Sequence, residues 1–341
     1  MIILSIETSC DETACAIVRD GKEVVSNAIA TSSDLHAKTG GIIPENAARQ
    51  QIKSIIPVIN ETLTSANIKD PKKDIGLIAV TYGPGLIGSL LVGVETAKTL
   101  SYLWDKPIVP VNHLVAHIYA NWLDQNTVPE FPALALVVSG GHTDMVIMKD
   151  HGEVEWIGGT RDDAAGETFD KSARLLELPY PGGPQISKHA KLYIDTHPDV
   201  GLSFFPRPII NEDNFDFSFS GLKTAVLNEV KDKNLTEAYI DKISAEVQEA
   251  IVDVLVTKTE RAVRKFNPKS LLVAGGVSAN NRLRESLEGM IKSYDTKLFI
   301  PEIKHCTDNA TYIATYAYYN NYPVDLEKIT ATPSLTITNE K

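Results

Sequence analysis

Cysteine is scarce in this chain: Cys10, Cys15 and Cys306 are the three among 341 residues. They are too few and too scattered for a disulfide framework or a cysteine-built zinc site. A targeting leader is not expected either, since Met1-Ile2-Ile3-Leu4-Ser5 runs straight into a strand-like segment without a basic start and a long apolar core. No uncharged apolar run is long enough to span a bilayer. Positive charge is in deficit, with a net charge of −11, which argues against a generally basic nucleic-acid surface while leaving room for a local patch or a basic partner. No G-x-x-x-x-G-K-S/T occurs, so a P-loop ATPase is excluded. These absences predict a cytoplasmic protein. What is present is ordinary globular composition, 43% apolar and 23% charged, in a chain long enough for two domains.

The order of elements repeats. Ile2–Ile6, Ala14–Val18 and Glu23–Ala28 read as a strand meander, followed by a helix over Glu45–Ser65, an apolar strand at Ile75–Thr81, the turn Gly83-Pro84-Gly85 and a helix from Ile87 to about Tyr102. Later, Ala133–Val138, Asp144–Lys149 and Glu153–Gly158 repeat the meander. Helical stretches at Thr168–Leu176 and Thr236–Phe266 follow, then strand Ser270–Ala274, Gly275-Gly276 and a helix at Asn280–Tyr294. The break falls near Asn126–Pro132. A duplicated unit of this kind sets two polar hairpin turns about a cleft, and turns with consecutive free N–H groups hold phosphate oxygens. A nucleotide cleft is therefore expected.

Two histidines, His113 and His117, stand four residues apart, so on a helix they share one face and offer a metal-ligand spacing. A protease of the H-E-x-x-H type would need glutamate beside the first histidine as its base; Leu114 stands there. A third ligand is offered by the cluster His305-Cys306-Thr307-Asp308-Asn309-Ala310 before a final helix, although Asp308 also reads as that helix's N-cap. Two histidines and an aspartate leave coordination positions open for substrate. Gly83-Pro84-Gly85-Leu86-Ile87-Gly88 matches G-x-G-x-x-G, but it follows the fourth strand of its unit and lacks the acidic residue a dinucleotide fold requires. It reads as a close-packing turn.

Taken together, Ser5–Thr13, Gly40–Glu45, Tyr82–Leu86, Val138–Thr143, Asp162–Lys171, Tyr180–Pro184, Phe217–Lys223, Ala274–Asn280 and Cys306–Asn309 resemble the motifs of the TsaD/Gcp (Kae/OSGEP) family, in the family's order. The resemblance implies an α/β chain of the ASKHA (actin/Hsp70/sugar-kinase-like) fold, two duplicated RNase H-like subdomains around a nucleotide cleft. It places the first at residues 1–128, completed by a helix at 308–322, and the second at 129–307 with an insertion at about 177–235. The implied activity is transfer of the threonylcarbamoyl group from threonylcarbamoyl-adenylate to the N6 amine of the adenosine next to the anticodon in tRNAs reading ANN codons. The implied metal is one iron or zinc ion on His113, His117 and Asp308. Adenylate-binding positions fall on Val137, Val138, Ser139, Gly140, Gly141, Asp170, Gly183, Ser187 and Asn280.

Four positions depart from the family pattern. Val115 and Ala116 fill the middle of its H-x-E-G-H, Gln51 stands where many members have histidine, and Ser187 where many bacterial members have aspartate. Asp11 or Glu12, on the first hairpin turn, is the candidate proton acceptor. A tRNA substrate calls for phosphate contacts, for which the chain offers dispersed cations such as Lys223, Arg261, Arg264, Lys265, Arg282 and Arg284. The resemblance also implies partners: a TsaB-like paralogue, a TsaE-like ATPase, and a TsaC/Sua-type synthase to supply the adenylate. The competing readings are a catalytically weak ASKHA scaffold subunit and a sugar-kinase-like phosphotransferase. The polar, threonine-rich segment Pro323–Lys341 is expected to be a loose tail.

Overall fold

The structure, a computed structural model, describes residues 1–32, 43–123 and 127–338. The start of the Gly40–Glu45 motif, the first residue of the expected break at Asn126 and the end of the tail lie outside the described residues. Strands β1 (Ile2–Glu7), β2 (Glu12–Arg19), β3 (Glu23–Thr31), β4 (Leu77–Gly83) and β5 (Ile108–Asn112) form one sheet in the order β3-β2-β1-β4-β5. Strands β6 (Ala133–Val138), β7 (Thr143–Asp150), β8 (Glu153–Gly159), β9 (Ser270–Ala274) and β10 (Lys297–Phe299) form a second, ordered β10-β9-β6-β7-β8. The two orders are one topology written twice. In each, the first strand pairs antiparallel with the second and parallel with the fourth, as β1 with β2 and β4, and β6 with β7 and β9. The duplication legible in the hydrophobic pattern is thus a duplication of sheet connectivity.

The helices are α1 (Pro44–Ser65), α2 (Pro71–Asp74), α3 (Ile87–Trp104), α4 (His113–Tyr119), α5 (Ala165–Leu175), α6 (Gly182–Thr196), α7 (Ser220–Val230), α8 (Glu237–Phe266), α9 (Asn281–Ile291) and α10 (Thr311–Tyr319). Pro44 at the first turn starts α1, where its missing N–H costs nothing. Thr236 and Asn280 cap α8 and α9 through their side-chain oxygens. Helix α6 was not legible in the sequence: Tyr180-Pro181-Gly182-Gly183 reads as a turn, and the helix buries few residues beyond Ile186 and Ala190.

The chain divides into two compact units, one of Met1–Val128, His151–Val154 and Pro301–Lys341, the other of Pro129–Asp150 and Glu155–Ile300. In the first, Leu4, Ile6, Ile17, Val80 and Val94 form the core with Ile55 and Ile59 of α1. In the second, Leu134, Leu136, Phe169, Phe217, Val247, Val254 and Leu271 do the same. Each such side chain contributes about 1.5–3 kcal/mol when fully buried. Strands β1, β6 and β9 are buried along almost their whole length, as expected where a sheet is covered on both faces.

The tail corrects an expectation. Within residues 323–338 a few side chains are packed, with Ile329 and Ile337 only 3% and 2% exposed, while most of the others face outward. Val324 N–H donates to Ile108 O at 3.1 Å and Thr332 N–H to Tyr82 O at 2.7 Å. Asn112 Nδ2 reaches Thr336 O at 2.9 Å. The segment closes against the ends of β4 and β5, and its sparse apolar residues are the ones that go inward.

Candidate metal and nucleotide sites

Helix α4 begins where it does because Asn112, the last residue of β5, caps it: Asn112 Oδ1 accepts from Leu114 N–H at 3.0 Å. His113 is therefore the first helical residue and His117 lies one turn on, both buried. Their Nε2 atoms are 3.1 Å apart. Asp308 joins them, its Oδ1 lying 3.2 Å from His117 Nε2 and 3.6 Å from His113 Nε2. The other members of its cluster turn elsewhere. His305 Nδ1 meets Thr311 Oγ1 at 3.2 Å, and Cys306 Sγ faces Glu302 O at 3.4 Å. Asp308 does not cap the final helix, whose N-cap is Ala310 without a side-chain cap; Asn309 Oδ1 accepts from Thr311 N–H at 2.9 Å just ahead of it. The aspartate is thereby left to face the histidines.

The donor set fits a metal ion. Ligand atoms held about 2.1 Å from one ion lie about 3.0–3.6 Å apart at ordinary coordination angles, which is the spacing of these three atoms. Around them sit Glu7, whose Oε2 is 3.2 Å from His113 Nδ1, and Tyr312, whose hydroxyl is 3.5 Å from His117 Nε2. Neither Glu7 nor Tyr312 was singled out from the sequence. A glutamate ending an otherwise apolar strand was the available signal.

Charge is concentrated here. Burial opposes ionisation of Asp308, but the two histidines override it and hold the carboxyl well below its ordinary range. Burial likewise opposes protonation of His113, yet Glu7 and Asp308 raise it to about 9. His117 is lowered, by burial first and then by the neighbouring His113. Burial, reinforced by Asp308 and Asp11, pushes the Glu12 carboxyl up to about 10. Asp11 borders a small cavity with Thr13, Ser32, Gln50 and Ser54. The turn carrying both is strapped by Gln51, whose Nε2 donates to Cys10 O at 3.0 Å and Glu12 O at 2.9 Å.

In the second unit, Val137 and Val138 end β6 with their side chains fully buried. The turn beyond them is closed by Ser139 N–H to His142 O at 2.8 Å. A Cβ on Gly140 or Gly141 would meet nothing within 4 Å, so this backbone borders open space. The same is nearly true of Gly183, whose nearest neighbour to such a Cβ is 4.0 Å away. Asp170 Oδ1 accepts from Gly182 N–H at 2.7 Å and so holds the start of α6; burial raises its carboxyl above the ordinary value. Asn280 Nδ2 donates to Ser187 Oγ and Gln248 Oε1, both at 2.9 Å, which ties α6, α8 and α9 together.

The remaining motifs have packing roles. A Cβ on Gly83 would strike Thr332 O at 2.0 Å and one on Gly85 would strike Ser9 O at 2.4 Å, so Gly83-Pro84-Gly85 is a close-approach turn. Asp162 accepts from Ser218 Oγ, Phe219 N–H and Ser220 Oγ, which anchors Phe217–Lys223. The cations that the sequence offered for phosphate have partners within the chain, Arg264 and Lys265 while staying exposed. Lys223 pairs with Asp163 at 2.8 Å, Arg264 with Glu260 at 3.1 Å and Arg282 with Glu249 at 2.5 Å. Arg261 donates to Ile210 O at 3.0 Å, Arg284 to Ser278 O at 2.7 Å, and Lys265 lies over Phe215.

Comparison with known proteins followed the same lines. The family model described as TsaD, tRNA N6-adenosine threonylcarbamoyltransferase, matches residues 23–315. Proteins named tRNA N6-adenosine threonylcarbamoyltransferase are similar over nearly their whole length. That of Bacillus subtilis is 49% identical over 92% of this chain and 89% of its own, that of Bacillus cereus 48% over 98% and 96%, and that of Staphylococcus carnosus 46% over 93% and 90%. Among solved structures, the (R)-2-hydroxyglutaryl-CoA dehydratase component A of Acidaminococcus fermentans aligns with a TM-score of 0.52 at 16% identity, covering 94% of this chain and 98% of that one. HypF of T. kodakarensis aligns at 0.60 and 12% identity, covering 94% of this chain and 47% of its own. Those likenesses bear on the fold alone, which is of the ASKHA type. Among the described residues no helix is long and apolar enough to cross a membrane.

Proposed function

This chain belongs to the TsaD family of tRNA N6-adenosine threonylcarbamoyltransferases, and from that membership we propose that it transfers threonylcarbamoyl from its adenylate to the N6 amine of the adenosine next to the anticodon in tRNAs reading ANN codons. The observation that carries the reading to a mechanism is the convergence of His113, His117 and Asp308 on one point. His113, His117 and Asp308 would hold one divalent ion, iron or zinc, which would supply Lewis-acid polarisation of the carbonyl and a seat for the threonyl end.

The amine attacks the carbonyl carbon, the bond from that carbon to the phosphate oxygen breaks, and AMP leaves. The open backbone at Gly140 and Gly141 supports phosphate binding through main-chain N–H groups, in a turn that Ser139 N–H closes onto His142 O. Val137, Val138, Asp170, Gly183, Ser187 and Asn280 then form the adenylate's surroundings, with Asp170 and Asn280 acting by holding the starts of α6 and α9. Asp11 or Glu12, on the first hairpin turn, is the acceptor for the proton the amine gives up. The internal use of the named cations supports reliance on partners for tRNA contacts: a TsaB-like paralogue and a TsaE-like ATPase, with a TsaC/Sua-type synthase supplying substrate. A cytoplasmic location follows from the tRNA substrate.

The test supplies threonylcarbamoyl-adenylate, tRNA and the partner proteins, and compares the chain with His117→Ala. Modification by the native chain and its loss in the variant is the expected result; equal modification by both would sink the metal assignment. The ligand set is intact, so the structure gives no support to the scaffold reading.

A further inference from the structure

Glu7 is the last residue of β1 and is 1% exposed. Its place is set by the sheet: β1 runs beside β4 with Ile6 opposite Val80, which brings Glu7 next to Thr81. Three groups surround the carboxylate: two donate to it, and the third, His113 Nδ1, which also lies 3.4 Å from Ser9 Oγ, donates when it carries the proton. Ser9 N–H donates to Oε1 at 2.6 Å, Thr81 Oγ1 donates to Oε2, and His113 Nδ1 lies 3.2 Å from Oε2. Only a carboxylate, with two accepting oxygens and no hydrogen, satisfies all of them; an amide would turn its NH2 against a donor.

We propose that Glu7 is a positioning residue that fixes the His113 imidazole with its proton on Nδ1 and its Nε2 lone pair aimed at His117 and Asp308. The inference rests on the metal reading of those three residues and adds a fourth that never touches the ion. The paired ligand shows why it matters. His117 Nδ1 is buried and has no hydrogen-bond partner among the described residues, and its ring packs 4.7 Å between centroids from Tyr312. At Nδ1 the two histidines are therefore unequal: that of His113 faces a carboxylate, and that of His117 faces no polar group among the described residues. Outer partners of this kind orient a ligand and raise its basicity, and losing one weakens metal binding about 10–100-fold.

The test is a zinc titration against a chromophoric chelator for the full chain, Glu7→Gln, His113→Ala and the double variant, with far-UV circular dichroism to confirm folding. Glu7→Gln is expected to bind zinc about 10–100-fold more weakly, and to cost nothing further once His113 is alanine, as a double-mutant cycle requires of a residue acting through another. An unchanged zinc affinity in folded Glu7→Gln, or an additive loss in the double variant, would overturn the inference. Nitrogen NMR of the zinc-loaded native chain gives an answer even where Glu7→Gln does not fold: a proton on His113 Nδ1 supports the inference, and zinc on Nδ1 overturns it. Failure of the native chain to bind zinc would take the metal reading down as well, whereas zinc binding with Glu7→Gln unaffected would remove this inference alone.

Discussion

The turn after β1 and the turn after β6 hold equivalent places in two copies of one topology, and they are built in opposite ways. The first is crowded with ionisable groups. Glu7, Asp11 and Glu12 lie on or beside it, strapped by Gln51 and set against His113, His117 and Asp308. The second, Ser139-Gly140-Gly141-His142, carries His142 as its one ionisable side chain and leaves its backbone bordering open space at the two glycines. Duplication supplied the frame, and each copy then turned one kind of polar group to use: buried side-chain charge in the first, open main chain at two glycines in the second.

The contrast can be broken most directly at its charged end. His117→Ala removes a ligand, and since metal polarisation is worth several kcal/mol while each 1.36 kcal/mol is tenfold in rate, tRNA modification should fall by about 100-fold or more, with loss of bound metal by elemental analysis. At the open end, Gly141→Val should leave the melting temperature nearly unchanged, because nothing lies where its Cβ would go, yet weaken adenylate binding in calorimetry by about tenfold, or 1.4 kcal/mol. The neighbouring Gly275→Ala should do the reverse. With φ at +88° and Val138 O 2.4 Å from the added Cβ, it should destabilise the fold by about 1–3 kcal/mol in denaturant melts.

pH should separate the two turns further. His113 sits near 9 in the fold against an ordinary 6.5, so its contribution to stability is complete below pH 6.5 and is lost as pH rises through about 9. Glu12, raised from 4.5 to about 10, loses stability in the same direction. His117, held below its ordinary value, is already neutral above pH 6.5 and does not offset this. Metal-free protein should therefore melt at falling temperatures between pH 6.5 and 9, and zinc, which takes the proton's place, should remove the fall. The smallest expected effect is Ser187→Ala, which deletes one acceptor of Asn280 and should cost about 0.5–1.5 kcal/mol, read by the same melts.

Much of the frame was legible. The alternation of apolar runs with glycine turns marked both meanders, and His113 and His117 were marked by spacing. Asp308 was legible only as one of two roles, because a residue just before a helix is equally a cap or a ligand until its neighbours are known. Glu7 was hidden inside a strand whose burial pattern says nothing of what a terminal carboxylate touches. Helix α6 was hidden by its glycine-proline start, and the packed tail by its polar composition.

The sequence by itself determined the elements, their doubling and the chemical types at the two turns, because periodicity and turn chemistry act over a few residues. Only the tertiary structure decided which groups meet. Asp308 lies almost two hundred residues from the histidines it faces, and its role was settled by that approach, since the final helix has no side-chain cap. Thr332 found Gly83, and Glu7 found His113, through strand register and the absence of a side chain. Contacts of that range are made by the packing of whole sheets and helices, which no local pattern encodes.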